Sequence, residues 1–331
     1  MNKEIEDIDE TEEETESETL NRYMVEISKD YELTEDQRDA ANEDVRFCSV
    51  DGGMWEGWLE RTHGTQTSRA RMEFDVVSDY VNRYVGEWTL NRASVTYVEG
   101  DAKTSADDAD LLNSVYRADF SDNDGQISQD VAVQEVAECG VGAFKITTRF
   151  EDEEDPENES QEILFEPIYN AFNHVIWPIN AKRIDKADAM SCVVLTSYTK
   201  EAFKRAFPEA SPISAYTPQT RMYLNWVTPE LIYVAERYEV RKEKIKVSVY
   251  QNIELDSVET YEQSEIKDIE DELKADGWEH VRDREIIKRN VYKSIFNGQE
   301  FIEPEKRIVG RFIPIIPMYG YRKFVDGIEY Y

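Results

Sequence analysis

The stretch "EVAECGVGAFKITTRF", residues 135–150, decides the fold. Its first half continues a helical pattern and its second half reads as a strand. Gly140 and Gly142 sit between them. A glycine just past a helix takes the left-handed conformation that ends it without a Cβ clash, so the chain can turn at once into a strand. Upstream of this point the apolar residues recur with helical spacing; downstream they mostly alternate. Helices first, then strands and hairpins with inserted helices, predict the α+β class.

Working upstream, residues 126–139 and 105–120 read as helices and "SVTYV" (94–98) as a strand. In "FDVVSDYVNRYVGEWTLN" (74–91), Phe74, Val77, Val81, Tyr84 and Trp88 fall on one face, which is expected to be core or a helix seam. "GGMWEGWLE" (52–60) breaks the pattern and then offers Trp55, Trp58 and Leu59 as anchors for a short helix. Residues 19–62 look helical, with Thr34 as N-cap and Gln37 completing a capping box. Residues 1–18 are an acidic low-complexity block, expected to be a disordered, solubilising tail; docking to a basic partner is its sharper alternative.

Working downstream, "EDEEDPENES" (151–160) is an acidic loop. "EILFEPI", "HVIW" and "SCVVLTSYT" are strand-like, "KEAFKRAF" (200–207) is a short helix, and residues 208–220 form a loop. "LIYVAERYEV" and "KIKVSVYQN" alternate like a pair of strands, and "IKDIEDELKADG" (266–277) is an amphipathic helix closed by Gly277. Asn297-Gly298 and Asp326-Gly327 mark hairpins. The chain is thus expected to divide into a tail (1–18), a mainly helical segment (19–142) and a β-rich segment (143–331).

The 331 residues carry 38 Lys and Arg against 71 Asp and Glu, a formal charge of −33. Such a surface repels polyphosphate and acidic lipid, which excludes a conventional nucleic-acid binder but suits a wall past which DNA must slide. Cys48, Cys139 and Cys192 are odd in number and far apart, and read as reduced thiols. The acidic N-terminus is unlike a signal peptide, and no apolar run approaches the ~20 residues that span a bilayer. A soluble intracellular product is expected, with no membrane partner.

Chemistry-bearing motifs are absent. In "FSDNDGQIS" (120–128), Asp122, Asp124, Gly125 and Ile127 match four positions of a calcium loop. Phe120 and Val131 stand where that loop needs its first carboxylate and its bidentate Glu, so the stretch reads as a turn between helices. His63, His174 and His280 have no metal-ligand spacing. Phosphate-binding glycine loops and nucleophile elbows are missing. No catalytic residue, cofactor site or metal site is nominated, and no enzyme is expected. "FNHVIWPINAKRIDKADAMSCVV" (172–194) reads as strand–loop–strand, with Trp177 as a packing anchor.

The segments "FDVVSDYV", "EVAECGVGAFKITTRFEDE", "HVIWPINAKRIDKADA", "LIYVAERYEV", "REIIKRNVYKSI" and "IPIIPMYG", in this order, resemble the N-terminal part of portal proteins from short-tailed, Lederbergvirus-type double-stranded DNA phages. The resemblance covers about residues 20–331; the acidic N-terminal block departs from the family pattern. It implies the wing region of a dodecameric ring at a capsid vertex, first in the host cytoplasm and then in the virion. Double-stranded DNA would pass through such a ring. Terminase, scaffolding, coat and tail-adaptor proteins would dock on it, and terminase would hydrolyse the ATP. It further implies that the matched region precedes the channel-lining stem helix, so no functional residue is carried over. An acidic DNA mimic that inhibits a DNA-binding enzyme is the rival reading, motivated by the charge. An unrecognised hydrolase would need converging carboxylates with shifted pKa values.

Overall fold

The computed structural model describes residues 16–49, 74–100, 105–152, 160–210, 230–252, 257–263, 266, 273, 277–325 and 328–330. Among the described residues five helices come first: α1 (Glu16–Leu33), α2 (Glu35–Cys48), α3 (Val77–Leu90), α4 (Ala106–Asp122) and α5 (Gly125–Cys139). Then follow β1 (Val141–Phe150), β2 (Gln161–Ile168), α6 (Ala171–His174), β3 (Val175–Ile176), β4 (Ser191–Thr199) and α7 (Lys200–Ala206). The remainder is β5 (Leu231–Asn252), β6 (Ser257–Glu262), β7 (Trp278–Asn297), β8 (Phe301–Ile308), β9 (Ile315–Tyr319), β10 (Lys323–Val325) and β11 (Ile328–Tyr330). The fold is α+β, as the order of patterns predicts.

The helix-to-strand pivot forms as expected. Gly140 has φ 87° and caps α5, and β1 begins at the next residue. Gly142 has a second role. A Cβ there would lie 2.1 Å from the carbonyl oxygen of Ala132, so α5 rests directly on β1. β1 is the middle of a three-stranded antiparallel sheet ordered β2-β1-β9. Its outer strands carry Pro167 and Pro317, where a missing N–H costs no interior ladder bond.

A second sheet is ordered β3-β4-β5-β7-β8, with β6 also paired to β5. The two sheets pack face to face. Ala143 and Ile315 of the small sheet join Cys192, Val194, Tyr238, Val240 and Val291 of the large one in one core. Phe144 and Phe165 point the other way and pack under α5 with Ala132, Tyr116 and Phe120. The opposite face of the large sheet is covered by α1, through Leu20, Tyr23, Met24 and Ile27 against Val193, Leu195, Ala235 and Phe296. The layers are therefore helices, small sheet, large sheet and α1.

Several expectations are corrected. The stretch 94–98 is not a strand; instead the Asn113 side chain pairs with Tyr97, accepting from its N–H at 2.7 Å and donating to its carbonyl at 3.0 Å. Thr34 stands at the N-cap position of α2, but its side chain makes no capping bond. Its hydroxyl instead donates back to the Asp30 carbonyl at 2.9 Å, in the last turn of α1. The capping box instead forms at Ser105 and Asp108 on α4. In α3 the apolar stripe is only half-buried at Val77, Val81, Val85 and Trp88, while Phe74 and Tyr84 are exposed. "HVIW" contributes only the two residues of β3. Residues 16–18, expected in the tail, form the first turn of α1.

The largest correction concerns "LIYVAERYEV" and "KIKVSVYQN". They are one 22-residue strand, β5, not two paired ones. The intervening "RKE" has no turn residue, and β7 runs antiparallel alongside from Asn297 to Trp278. Beyond the core these two strands project as an arm. β6 joins them near the far end, where Tyr250 packs with Ile266, Leu273, Tyr261 and Trp278. The β7–β8 hairpin exists, but Asn297-Gly298 is not a two-residue turn. Phe296 pairs with Phe301, and the Asn297 carboxamide oxygen accepts from the N–H of Gln299 at 3.1 Å and of Glu300 at 2.9 Å. β10 and β11 pair across residues 326–327 as expected. Those two turn residues, the anchors of 52–60, and most of the loops at 151–160 and 208–220 and of the stretch 266–277 lie outside the described residues.

Candidate interaction surface

Among the described residues no constellation of reacting groups emerges; buried ion pairs and exposed apolar faces do. Glu236 falls on the inward phase of β5 with Ile232, Val234, Tyr238 and Val240. It lies between the sheets, where Lys293 reaches it at 2.5 Å, Lys145 at 3.1 Å and the Tyr238 hydroxyl at 2.7 Å. Burial alone would raise the Glu236 carboxyl. The two ammonium groups outweigh it, and the group sits below its ordinary value of 4.5. Burial opposes the Lys145 charge as well, yet Glu236 and Glu166 lift that amine above its usual range. Two cations around one carboxylate make a clamp between the sheets rather than an acid–base pair.

A second cluster fastens α1. Arg237, 5% exposed, lies over the Tyr23 ring at 3.8 Å and pairs with Glu26 at 3.0 Å. The Tyr23 hydroxyl donates to Glu239 at 3.1 Å, and Arg241 pairs with Glu305 at 2.6 Å. A third involves Lys186, in the left-handed region at φ 49°. Its ammonium donates to the Ala181 carbonyl at 2.7 Å and reaches Glu329 of β11 at 2.5 Å. Burial and the nearby Arg322 guanidinium push this amine down to about 8. Arg322 also pairs with Glu329 and donates to the Lys182 carbonyl at 2.7 Å, so the last hairpin is tied to the 178–190 loop.

The cleft beside Lys186, lined by Arg38, Phe172, Trp177 and Tyr319, holds about 60 Å³, room for a few waters and no substrate. Cys139 and Cys192 are buried. Desolvation raises the Cys139 thiol to about 12 and the Cys192 thiol well above its ordinary value, so neither supplies a thiolate. Cys48 is shifted the same way by burial and by Glu138, and all three cysteines are free. His174 contacts the Tyr169 carbonyl and His280 the Asp283 carboxylate, each at 2.8 Å; His63 lies outside the described residues. Asp122, Asp124, Gly125 and Ile127 are brought together only as a two-residue connection between α4 and α5, helical on both sides.

The helical layer exposes apolar side chains that no core claims. Leu111, Leu112 and Val115 line one face of α4, with Leu111 65% exposed, and Tyr80 and Leu90 stand out from α3. Clustered apolar exposure of this kind marks contact surfaces. Among the described residues no helix is long and apolar enough to cross a membrane. None of Lys186, Glu236 or Arg237 stands out in the sequence as a site residue. The available signal was a charged residue at an apolar phase of an alternating strand, visible in "LIYVAERYEV".

The chain is 32% identical over 323 residues to a portal protein of Acyrthosiphon pisum secondary endosymbiont phage 1. That match covers 95% of this chain and 44% of the relative, so the chain spans less than half the relative's length. Residues 24–331 match the Phage P22-like portal protein family, reaching from α1 through both sheets to the last hairpin. The chain belongs to that family of phage portal proteins.

Proposed function

We propose that this chain is a wing portion of a portal ring through which double-stranded DNA is packaged and ejected. The ring docks terminase, scaffolding, coat and head-to-tail adaptor proteins. The single observation that carries this reading is the family match across residues 24–331. The exposed apolar faces of α3 and α4 support it, because a subunit in a ring must bury surface against its neighbours on either side. Here the chain serves as a rigid mount, and catalysis belongs to the motor that docks on it. Expressed whole, the reading frame that contains this chain is expected to form closed rings under negative-stain microscopy. Only monomers and irregular aggregates across salt and concentration would overturn this.

The DNA-mimic reading requires carboxylates laid out like phosphates on one face. It finds little support in the arm, where β7 and the distal half of β5 from Arg241 carry nine Lys or Arg against four Asp or Glu.

A further inference from the structure

β7 and the distal half of β5 are locally cationic in a chain of formal charge −33. On the sheet face that α1 covers nearer the core, an open groove of about 410 Å³ runs along the arm. Ile245, Val247 and Ile286 form its apolar floor, and Lys288, Arg307 and Arg311 stand at its sides. The carboxylates nearby are already engaged: Glu262 pairs with Lys288, and Glu305 with Arg241. Arg307 and Arg311 are exposed and have no carboxylate partner among the described residues.

We propose that this groove receives the acidic N-terminal segment of the same chain. Residues 1–15 carry eight Asp or Glu and one Lys, interleaved with Ile5 and Ile8. That composition matches a groove with cationic sides and an aliphatic floor. Geometry permits the docking in cis. α1 lies on the groove's own sheet face, and Tyr23 meets Phe301, the first residue of β8, with ring centroids 6.2 Å apart. From Tyr23 back to Glu16 is about 10 Å of helix, and from Phe301 to Arg307 about 20 Å of strand. Glu16 is therefore within about 40 Å of Arg307, and fifteen extended residues reach about 50 Å. Docked there, the segment neutralises Arg307 and Arg311 at the side of the groove and keeps polyphosphate off them. This inference does not rest on the portal reading.

The test is zero-length carbodiimide crosslinking of the full chain, read by mass spectrometry on a mixture of light and isotopically heavy protein. Carboxylates between Glu4 and Glu14 are expected to join Lys288 within one copy. The yield should fall at least about fivefold between about 20 mM and about 0.5 M salt. The double variant R307E/R311E should lose these crosslinks at low salt while keeping the wild-type circular dichroism spectrum. The wild-type salt series decides the matter if that variant does not fold. Crosslinks confined to pairs of differently labelled copies, or spread evenly over exposed lysines such as Lys182 and Lys204, overturn the proposal. So does tight binding of a short DNA duplex that is unchanged when the acids of residues 4–14 are replaced by amides, because the groove would then be a phosphate site.

Discussion

Gly142 shows how much can hang on one missing methyl. The 2.1 Å approach of a would-be Cβ to the Ala132 carbonyl leaves no flexible side chain to move aside, so Gly142→Ala must push α5 off β1. We expect a loss of about 1–3 kcal/mol, read as a lower denaturant midpoint, whereas Gly86→Ala, which meets nothing within 4 Å, should be neutral or stabilising. Glu236→Ala is expected to cost about 3–5 kcal/mol, because it leaves Lys145 and Lys293 facing each other between the sheets. Thiol chemistry gives a reading at the same scale. An aromatic disulfide reagent should modify Cys48 in the native protein and reach Cys139 and Cys192 only on unfolding. The glycine pivot is legible in the sequence because its signal is local. Glu236 and Lys186 are not, because their partners lie 57 and 143 residues away or on another sheet, and a sequence pattern carries no record of such distances.

At the scale of elements, local chemistry decides what can be read. α4, α5, β1, β2, β4 and α7 fall where periodicity puts them, since each is short, bounded and amphipathic. Thr34 and Gln37 satisfy the capping pattern, yet α1 leads almost directly into α2, and the helical carbonyl of Asp30 is a nearer partner for the hydroxyl. Ser105→Ala should therefore cost about 1 kcal/mol by thermal denaturation through loss of a true cap, and Thr34→Ala should lack that contribution. β5 is misread as two strands because a change from buried to exposed surface resembles a turn in composition. The strand itself runs on without a turn, and β7 pairs with it from Val234 to Asn252, with one register shift at Val249 and Tyr250. The seam of α3 shows the reverse. Its periodicity is right, but among the described residues the helix has no fully buried side chain, so an apolar stripe is only an invitation to pack.

At the scale of the whole molecule, charge sets the response to pH. Glu236 and Glu239 both titrate below their ordinary value: burial opposes the charge of each, and Lys145 and Lys293 on one, Arg237 and Arg241 on the other, outweigh it. Their stabilising contribution is complete above the unfolded value near 4.5 and is lost as the pH falls through the folded values. Asp30 and Glu135 are raised, chiefly by burial, and act in the opposite sense, stabilising the fold as they take up protons. The denaturation midpoint should drop below about pH 4.5, and Glu236→Gln should flatten that slope. The α+β order and the excess of acid were legible from composition. The stacking of four layers was not, because it depends on which face each strand turns to its neighbour. β5, at about 3.4 Å per residue, is a beam some 70 Å long, held at one end between the small sheet and α1 and joined by β6 towards the other. A push on its far end is delivered as torque at the root, where the inward-facing Glu236 and the oppositely facing Arg237 occupy adjacent positions. The two charges grip the beam from both sides like bolts through a bracket, so the arm cannot tilt without loosening α1 or parting the sheets.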